Sequence, residues 1–218
     1  MEIKKILIYG SAHLTKVTCD LLENHYELVG HIPSQNPVIG SKMSLPIVDE
    51  SVEHDIKLSL QYNRRLLNLE NAFNVHTGIL PEWGGTDILY HTLKEDSIEQ
   101  GLTFHKMTEV FDKGPIVSKM TYPIFKGDTM VDLYQRLIQI APAFVLGSLK
   151  LLESIPSVDD CYEYEPTIYK RGNIDENDLD TLKEIAANCF NVFGLSRWGR
   201  VDLSLIHISE PTRLLSIA

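Results

Sequence analysis

The sequence predicts an α/β protein built on an open, mostly parallel sheet with flanking helices. Three observations lead there. Apolar runs of strand length recur at 4–9, 27–32, 55–60 and 72–76, and most of them stop at Gly, Pro or Thr-Gly. A helical pattern separates the first two runs, so strand, helix and strand fit within about 30 residues, as in a βαβ unit. The composition, 44% hydrophobic and 23% charged over 218 residues, is that of an ordinary folded chain able to bury a core without staples. Together these features describe a Rossmann-like sheet.

The elements follow in order. Lys4 to Tyr9 reads as a buried strand that ends at Gly10. Thr15 to Glu23 is a predicted helix, with Leu14, Val17, Leu21 and Leu22 on roughly one face. Glu27 to Ile32 is a second strand, closed by Pro33, and Pro33 to Pro46 is rich enough in Ser, Pro, Gly and Asn to be a surface loop. Asp55 to Leu60 and Ala72 to His76 are further strands, and Thr86 to Leu93 is a predicted helix with Thr86 as its cap. Leu102 to Met107 and Ile116 to Tyr122 are joined through the turn signal Asp112-Lys113-Gly114-Pro115, a connection short enough for an antiparallel pair at the end of the sheet. Asp128 to Glu153 carries the clearest helical pattern, with Met130, Leu133, Leu137, Ala141, Phe144, Val145 and Leu152 as its apolar positions. Thr129 with Asp132 resembles a capping box, and Pro142 is expected to kink the helix or split it. Ser154 to Asn173 reads as a polar, irregular strap, and Asp178 to Phe190 as an acidic amphipathic helix.

Thirty acidic against twenty basic residues give a net charge of −10. That balance opposes non-specific attraction to nucleic acid or to an anionic membrane. The sequence shows no uninterrupted apolar run near the roughly 20 residues that span a bilayer, and no signal-peptide layout at its start. The three cysteines, Cys19, Cys161 and Cys189, have no zinc or disulfide spacing, so reduced thiols in a cytoplasmic protein are expected. Leu203 to Arg213 resembles the translated end of a transposon adapter used for sequencing libraries, although Leu203 to Ile208 also has the pattern of an ordinary edge strand. The expected organisation is a catalytic domain over 1–155, an incomplete C-terminal strap and helix over 156–202, and an adapter-derived tail over 203–218.

Two segments carry chemistry. In the first, Asn74-Val75-His76-Thr77-Gly78-Ile79-Leu80-Pro81, strand alternation puts Asn74 and His76 on one face, ~7 Å apart along the backbone. The Gly and Pro that follow turn the chain away and leave room above the strand. In the second, Asp112 sits in a glycine-containing turn 38 residues after Asn74. On the residues alone two readings stay open. Asn and His at a strand end also cap loops, and an acid in a turn also bonds nearby backbone N–H groups.

Taken together, the segments resemble the catalytic domain of the folate-dependent formyltransferases. That family includes glycinamide ribonucleotide formyltransferase, methionyl-tRNA formyltransferase and the amino-sugar N-formyltransferases. Its signature is Asn-x-His-Ser/Thr-x-x-Leu-Pro with an Asp-x-Gly turn downstream. The resemblance covers roughly 3–155 in element order and is residue-specific from about Asn74 to Ile124. It implies a formyltransferase-type fold and a catalytic set of Asn74, His76 and Asp112. The implied reaction moves a formyl group from 10-formyltetrahydrofolate, as cosubstrate, to a primary amine. An Asn amide suits the oxyanion that forms when an amine attacks a formyl carbon, and a His with a carboxylate suits the proton transfers. No metal is required.

The resemblance places the folate near 62–66 and 108–113, implicating Tyr62, Arg64, Leu66, Val110 and Phe111, with Leu80 as an apolar wall. It places the acceptor near Gly10, Ser11, Thr77, Trp83 and His105. For His105 two readings remain: it lines the site beside Asp112, or it merely alternates with Phe104 on a half-buried strand. The aromatic residues Tyr162, Tyr164 and Tyr169 of the strap either contact a sugar and base or dock on the core. Gly10-Ser11-Ala12-His13 lacks the second Gly-Ser-Asn of the glycinamide ribonucleotide enzymes, and the net charge opposes tRNA unless a tRNA-binding domain once followed. By elimination, the expected acceptor is the amino group of a nucleotide-linked sugar. Methionyl-tRNA, glycinamide ribonucleotide, water as in formyltetrahydrofolate hydrolysis, and a folate-binding module without turnover remain alternatives. A small-molecule amine partner, no membrane partner and a possible homodimer complete the expectation.

Overall fold

Among the described residues the chain forms nine elements: β1 (Lys5–Tyr9), α1 (His13–Leu22), β2 (Glu27–Ile32), β3 (Ile56–Leu60), β4 (Ala72–His76), α2 (Ile88–Lys94), β5 (Glu99–Lys106), β6 (Ile116–Pro123) and α3 (Met130–Ser154). They come from a computed structural model that describes residues 4–35, 40–155 and 157–158. The strap beyond 158, the helix expected at 178–190, Cys161, Cys189 and the tail from 203 lie outside the described residues.

The strands form one sheet in the order β2-β1-β3-β4-β5-β6. β1 pairs in parallel with β2 and β3, and β3 in parallel with β4. β5 and β6 then run antiparallel, as the short connection through Asp112 to Pro115 requires. The period of two along each strand gives the sheet two different faces. Ile6, Ile8, Ile56, Leu58, Phe73, Val75, Leu102 and Phe104 belong to one apolar cluster, with Phe73 and Phe104 stacked at 5.4 Å between centroids. α1 and α3 contribute most of the rest of that cluster, so both helices lie on this face. The alternating residues Leu7, Tyr9 and Ala72 belong to a smaller cluster with Leu66, backed by Val48, Val52 and Tyr62 from loops rather than from a helix. A face roofed by loops is where a site has room.

Several expectations change in detail. α1 begins at His13, because its N-cap Ala12 is extended and offers no side chain that would mark the start. Its buried stripe is Leu14, Thr15, Thr18, Cys19 and Leu22; Val17 and Leu21 are only half-buried. α2 begins at Ile88 behind Asp87, which adopts a left-handed conformation (φ 57°), and Thr86 does not cap it. β5 starts at Glu99, three residues early, and is buried from Gln100 to His105 rather than half-buried. The Thr129–Asp132 capping box is formed. Pro142 neither splits nor ends α3, which runs unbroken for 25 residues. It sits on a half-buried flank, away from Ala141, Phe144 and Val145, which pack inward. Met130, expected inside, is 46% exposed in the first turn. By length and composition α3 is apolar enough to cross a membrane, which the sequence reading had not anticipated. Its Leu133, Leu137, Ala141, Val145 and Leu149 are fully buried in the sheet core instead.

Candidate active site

Because β4 and β5 are antiparallel neighbours, their register sets Asn74 opposite His105 and His76 opposite Thr103. All four side chains belong to the positions that alternate with Phe73, Val75, Leu102 and Phe104. They therefore share the loop-roofed face and form a polar patch two strands wide in an otherwise apolar part of the sheet. Polar groups buried this deeply are tolerated only when they are hydrogen-bonded, and their bonds define what the patch can do.

His105 is 2% exposed. Its Nδ1 lies 3.0 Å from the Lys106 carbonyl, which can only accept, so Nδ1 carries the proton. Nε2 is then an acceptor, and the Asn74 Nδ2–H donates to it at 3.2 Å. Burial lowers the His105 pKa below the ordinary histidine value, against weaker upward pulls from the Lys106 carbonyl and Asp112, so the ring is neutral near pH 7. The structure places His105 beside Asn74 and Asp112. Its ring holds the Asn74 amide in a fixed orientation.

This arrangement has a pH signature. In an unfolded chain the imidazole takes up a proton near pH 6.5; in the folded chain it does so only at lower pH. Between the two values the unfolded chain binds more protons, so stability falls as pH drops through that window and is complete above about pH 6.5. His105→Asn keeps a donor for the Lys106 carbonyl but removes the titration. The stability difference between wild type and variant is expected to shrink as pH falls below about 6.5, with a slope of at most about 1.4 kcal/mol per pH unit. Urea melts of both proteins from pH 5 to 8 check this, and a difference that stays flat across the range would show that His105 does not titrate as described.

His76 is 7% exposed. Its Nε2 donates to the Trp83 carbonyl at 2.5 Å, and its Nδ1 faces Asp112 Oδ1 at 3.5 Å. Gly78 makes that geometry possible, since a Cβ there would stand 2.8 Å from His76 Nε2 and 2.6 Å from the Trp83 carbonyl oxygen. Asp112 holds a left-handed conformation (φ 56°), which Asp and Asn tolerate better than most residues. Its Oδ2 accepts the Gly85 N–H at 2.8 Å, while Oδ1 lies between His76 Nδ1 and His105 Nε2, 3.8 Å from the latter. Neither ring distance is a full hydrogen bond, so Oδ1 remains open to a proton.

A cleft of about 30 Å³ opens beside Asn74, His105 and Asp112. Leu66, 3% exposed, forms part of its wall, and Val110 and Phe111, 62% and 67% exposed, form its rim. Arg65, within the 62–66 segment expected near the folate, ties the two walls together by donating from Nη2 to the Glu109 carbonyl at 3.2 Å. The other expected site residues fall elsewhere. Tyr62 is half-buried edge-on against Tyr9 at 5.2 Å, and Arg64 is exposed. Leu80 is 1% exposed and packs beneath the turn instead of walling an open cleft. Thr77 is half-buried next to His76. The Trp83 carbonyl accepts from His76 Nε2. Gly10 (φ 135°) lies where a Cβ would meet the Leu60 carbonyl oxygen at 2.2 Å, and the Ser11 hydroxyl accepts the Ser34 N–H at 3.1 Å. Both sit at the same sheet edge as His76, two strands away, ~10 Å by strand spacing. The Gly85 anchor for Asp112 was missed; its only trace in the sequence is the Gly84-Gly85 pair.

An amide, two imidazoles and a carboxylate gathered beside a cleft on an open α/β sheet define an acid–base site. The sequence model of the formyl transferase family matches residues 66–147, which contain Asn74, His76, His105 and Asp112. A methionyl-tRNA formyltransferase of Natranaerobius thermophilus is 28% identical over 143 residues, covering 62% of this chain and 44% of that protein. The chain thus spans less than half the length of that curated relative. Among solved structures, an N-formyltransferase from Helicobacter canadensis in complex with folinic acid and dTDP-3-aminofucose is 21% identical, with a TM-score of 0.60 over 70% of this chain and 65% of that one. Phosphoribosylglycinamide formyltransferase from Bacillus halodurans is 17% identical, also with a TM-score of 0.60, over 71% of this chain and 97% of that one. Residues 66–147 thus match the formyl transferase family, and the described fold is similar to that of solved formyltransferases.

Proposed function

We propose that this protein transfers a formyl group from 10-formyltetrahydrofolate to a primary amine. The observation that carries the reading is the convergence of Asn74, His76 and Asp112, with Asp112 Oδ1 3.5 Å from His76 Nδ1, beside a cleft with an apolar rim. The residues present fit a folate. Val110 and Phe111 expose apolar surface where a flat ring system would cover it, and Leu66 offers an apolar wall beneath. The cleft as it stands is smaller than the roughly 300–1,000 Å³ of a typical ligand pocket. The exposed Val110–Phe111 segment is the wall that gives way when the donor enters.

When bound, the folate supplies an activated formyl group. The side chains do the rest. Asn74, oriented by neutral His105, keeps a second Nδ2 hydrogen to donate to the formyl oxygen as negative charge develops there. His76, fixed through Nε2, exchanges protons only through Nδ1, the nitrogen facing Asp112. Asp112 Oδ1 receives the proton of the attacking amine, and His76 and Asp112 together pass it toward the departing nitrogen.

The acceptor we favour is the amino group of a nucleotide-linked sugar. The net charge of −10 is unsuited to tRNA, and the relative of known structure that holds folinic acid also holds an amino sugar joined to a nucleotide. A second reading, methionyl-tRNA as acceptor, is favoured by the names of the curated relatives. Tetrahydrofolate formation from 10-formyltetrahydrofolate, followed with the full chain and each acceptor in turn, separates them. Acceleration by dTDP-linked amino sugars and not by charged initiator tRNA is the expected result. Acceleration by the tRNA alone would establish the second reading.

A further inference from the structure

We infer that Thr103 is a positioning residue for His76, an inference that rests on the formyl-transfer reading for its kinetic consequence but not for its structural one. Thr103 lies opposite His76 in the β4–β5 register and is fully buried. Its hydroxyl uses its donor on the Gly78 carbonyl at 2.8 Å and accepts the Leu80 N–H at 3.0 Å. One side chain thus pairs one carbonyl and one N–H of the turn that leaves β4, at a depth where water does not replace a lost partner. The same turn continues through Ile79, whose carbonyl accepts the Trp83 N–H at 2.8 Å, to the Trp83 carbonyl that holds His76 Nε2.

The chain of contacts is closed and tight. β5 holds the turn, the turn holds the Trp83 carbonyl, and that carbonyl holds the imidazole against Gly78. A shift of the turn by about 1 Å breaks the Nε2–H bond and releases the ring from its aim at Asp112, and a misplacement of that size costs about 100-fold in rate.

Thr103→Val removes the hydroxyl at nearly constant volume, and Thr103→Ser retains it. Two measurements on the full chain test the inference. In the first, the His76 Nε2–H proton is followed by NMR. It is expected to be protected from exchange in wild type and Thr103→Ser, and to exchange rapidly in Thr103→Val. In the second, Thr103→Val is expected to lower kcat by about 10- to 100-fold with the KM for 10-formyltetrahydrofolate within about twofold, while Thr103→Ser recovers most of the rate. Ser148→Ala, which removes an equally buried hydroxyl from α3, serves as a control expected to leave kcat unchanged. An unaltered His76 signal in folded Thr103→Val would overturn the inference even if formyl transfer is confirmed. Loss of that signal in a protein that transfers formyl to no acceptor would sustain the positioning role and overturn the functional reading.

Discussion

Asp112→Asn is expected to lower kcat for formyl transfer by about 10²–10⁴-fold while the fold and donor binding survive. The substitution is nearly isosteric. Asn tolerates the left-handed backbone at φ 56° about as well as Asp, and its side-chain oxygen still accepts the Gly85 N–H. What disappears is the basic oxygen between the two imidazoles, 3.5 Å from His76 Nδ1 and 3.8 Å from His105 Nε2. The Asn74 amide already donates and His76 Nε2 is bound to a carbonyl, so without that oxygen His76 Nδ1 loses the carboxylate partner it faces in the proton path. Steady-state kinetics together with equilibrium binding of folinic acid measure both halves of the expectation. Activity within tenfold of wild type would remove Asp112 from the proton path.

Gly78→Ala is expected to cost nearly as much by a different route. No left-handed backbone is involved; the constraint is space. The added methyl would lie 2.6 Å from the Trp83 carbonyl oxygen and 2.8 Å from His76 Nε2, so the ring, the turn or both must move. A fall in kcat of about 100-fold is expected, together with a loss of stability of about 1–3 kcal/mol from overpacking. Gly147→Ala provides the contrast. Gly147 is exposed in α3 with no atom within 4 Å of a built Cβ, and alanine there is expected to stabilise the protein by about 0.4–1 kcal/mol without changing the rate. Circular-dichroism melts and initial rates on both variants make the comparison. Gly78→Ala with wild-type kinetics would mean that the His76–Trp83 contact is not needed for turnover.

The fold was legible because its first strands are short apolar runs, most of them stopped by Gly, Pro or Thr-Gly, and the short connection around Asp112 announces an antiparallel pair. Element starts were less legible where the chain uses no side-chain cap, as at Ala12, or a left-handed residue, as at Asp87. The early start of β5 was hidden because Gln100 is a polar residue buried by partners that only the fold supplies: its Nε2 reaches Thr92 and its Oε1 accepts the Gly101 N–H. Pro142 does not split α3, because the helix-breaking rule concerns an isolated helix and α3 is held on both sides of the proline by core contacts.

The site shows the same division. Asn74, His76 and Asp112 lie in short stretches whose Gly and Pro context is informative, so they could be read directly. The part of His105 depends on cross-strand register, because only its position opposite Asn74 makes its Nε2 an acceptor for the amide. Thr103 was invisible for the same reason. The contact of Trp83 with His76 runs through its carbonyl, and no side-chain identity signals a backbone contact.

The central claim is that this site moves a formyl group to an amine. A single-turnover experiment with 10-formyltetrahydrofolate carrying a 13C-labelled formyl group tests it most directly, using the full chain and a dTDP-linked amino sugar. The label is expected in the amide of the sugar, in equal amount to the tetrahydrofolate released, and absent when Asp112→Asn replaces wild type. Label recovered as formate at a rate indifferent to the amine would contradict the claim, as would a protein that binds folinic acid yet releases no tetrahydrofolate with any amine.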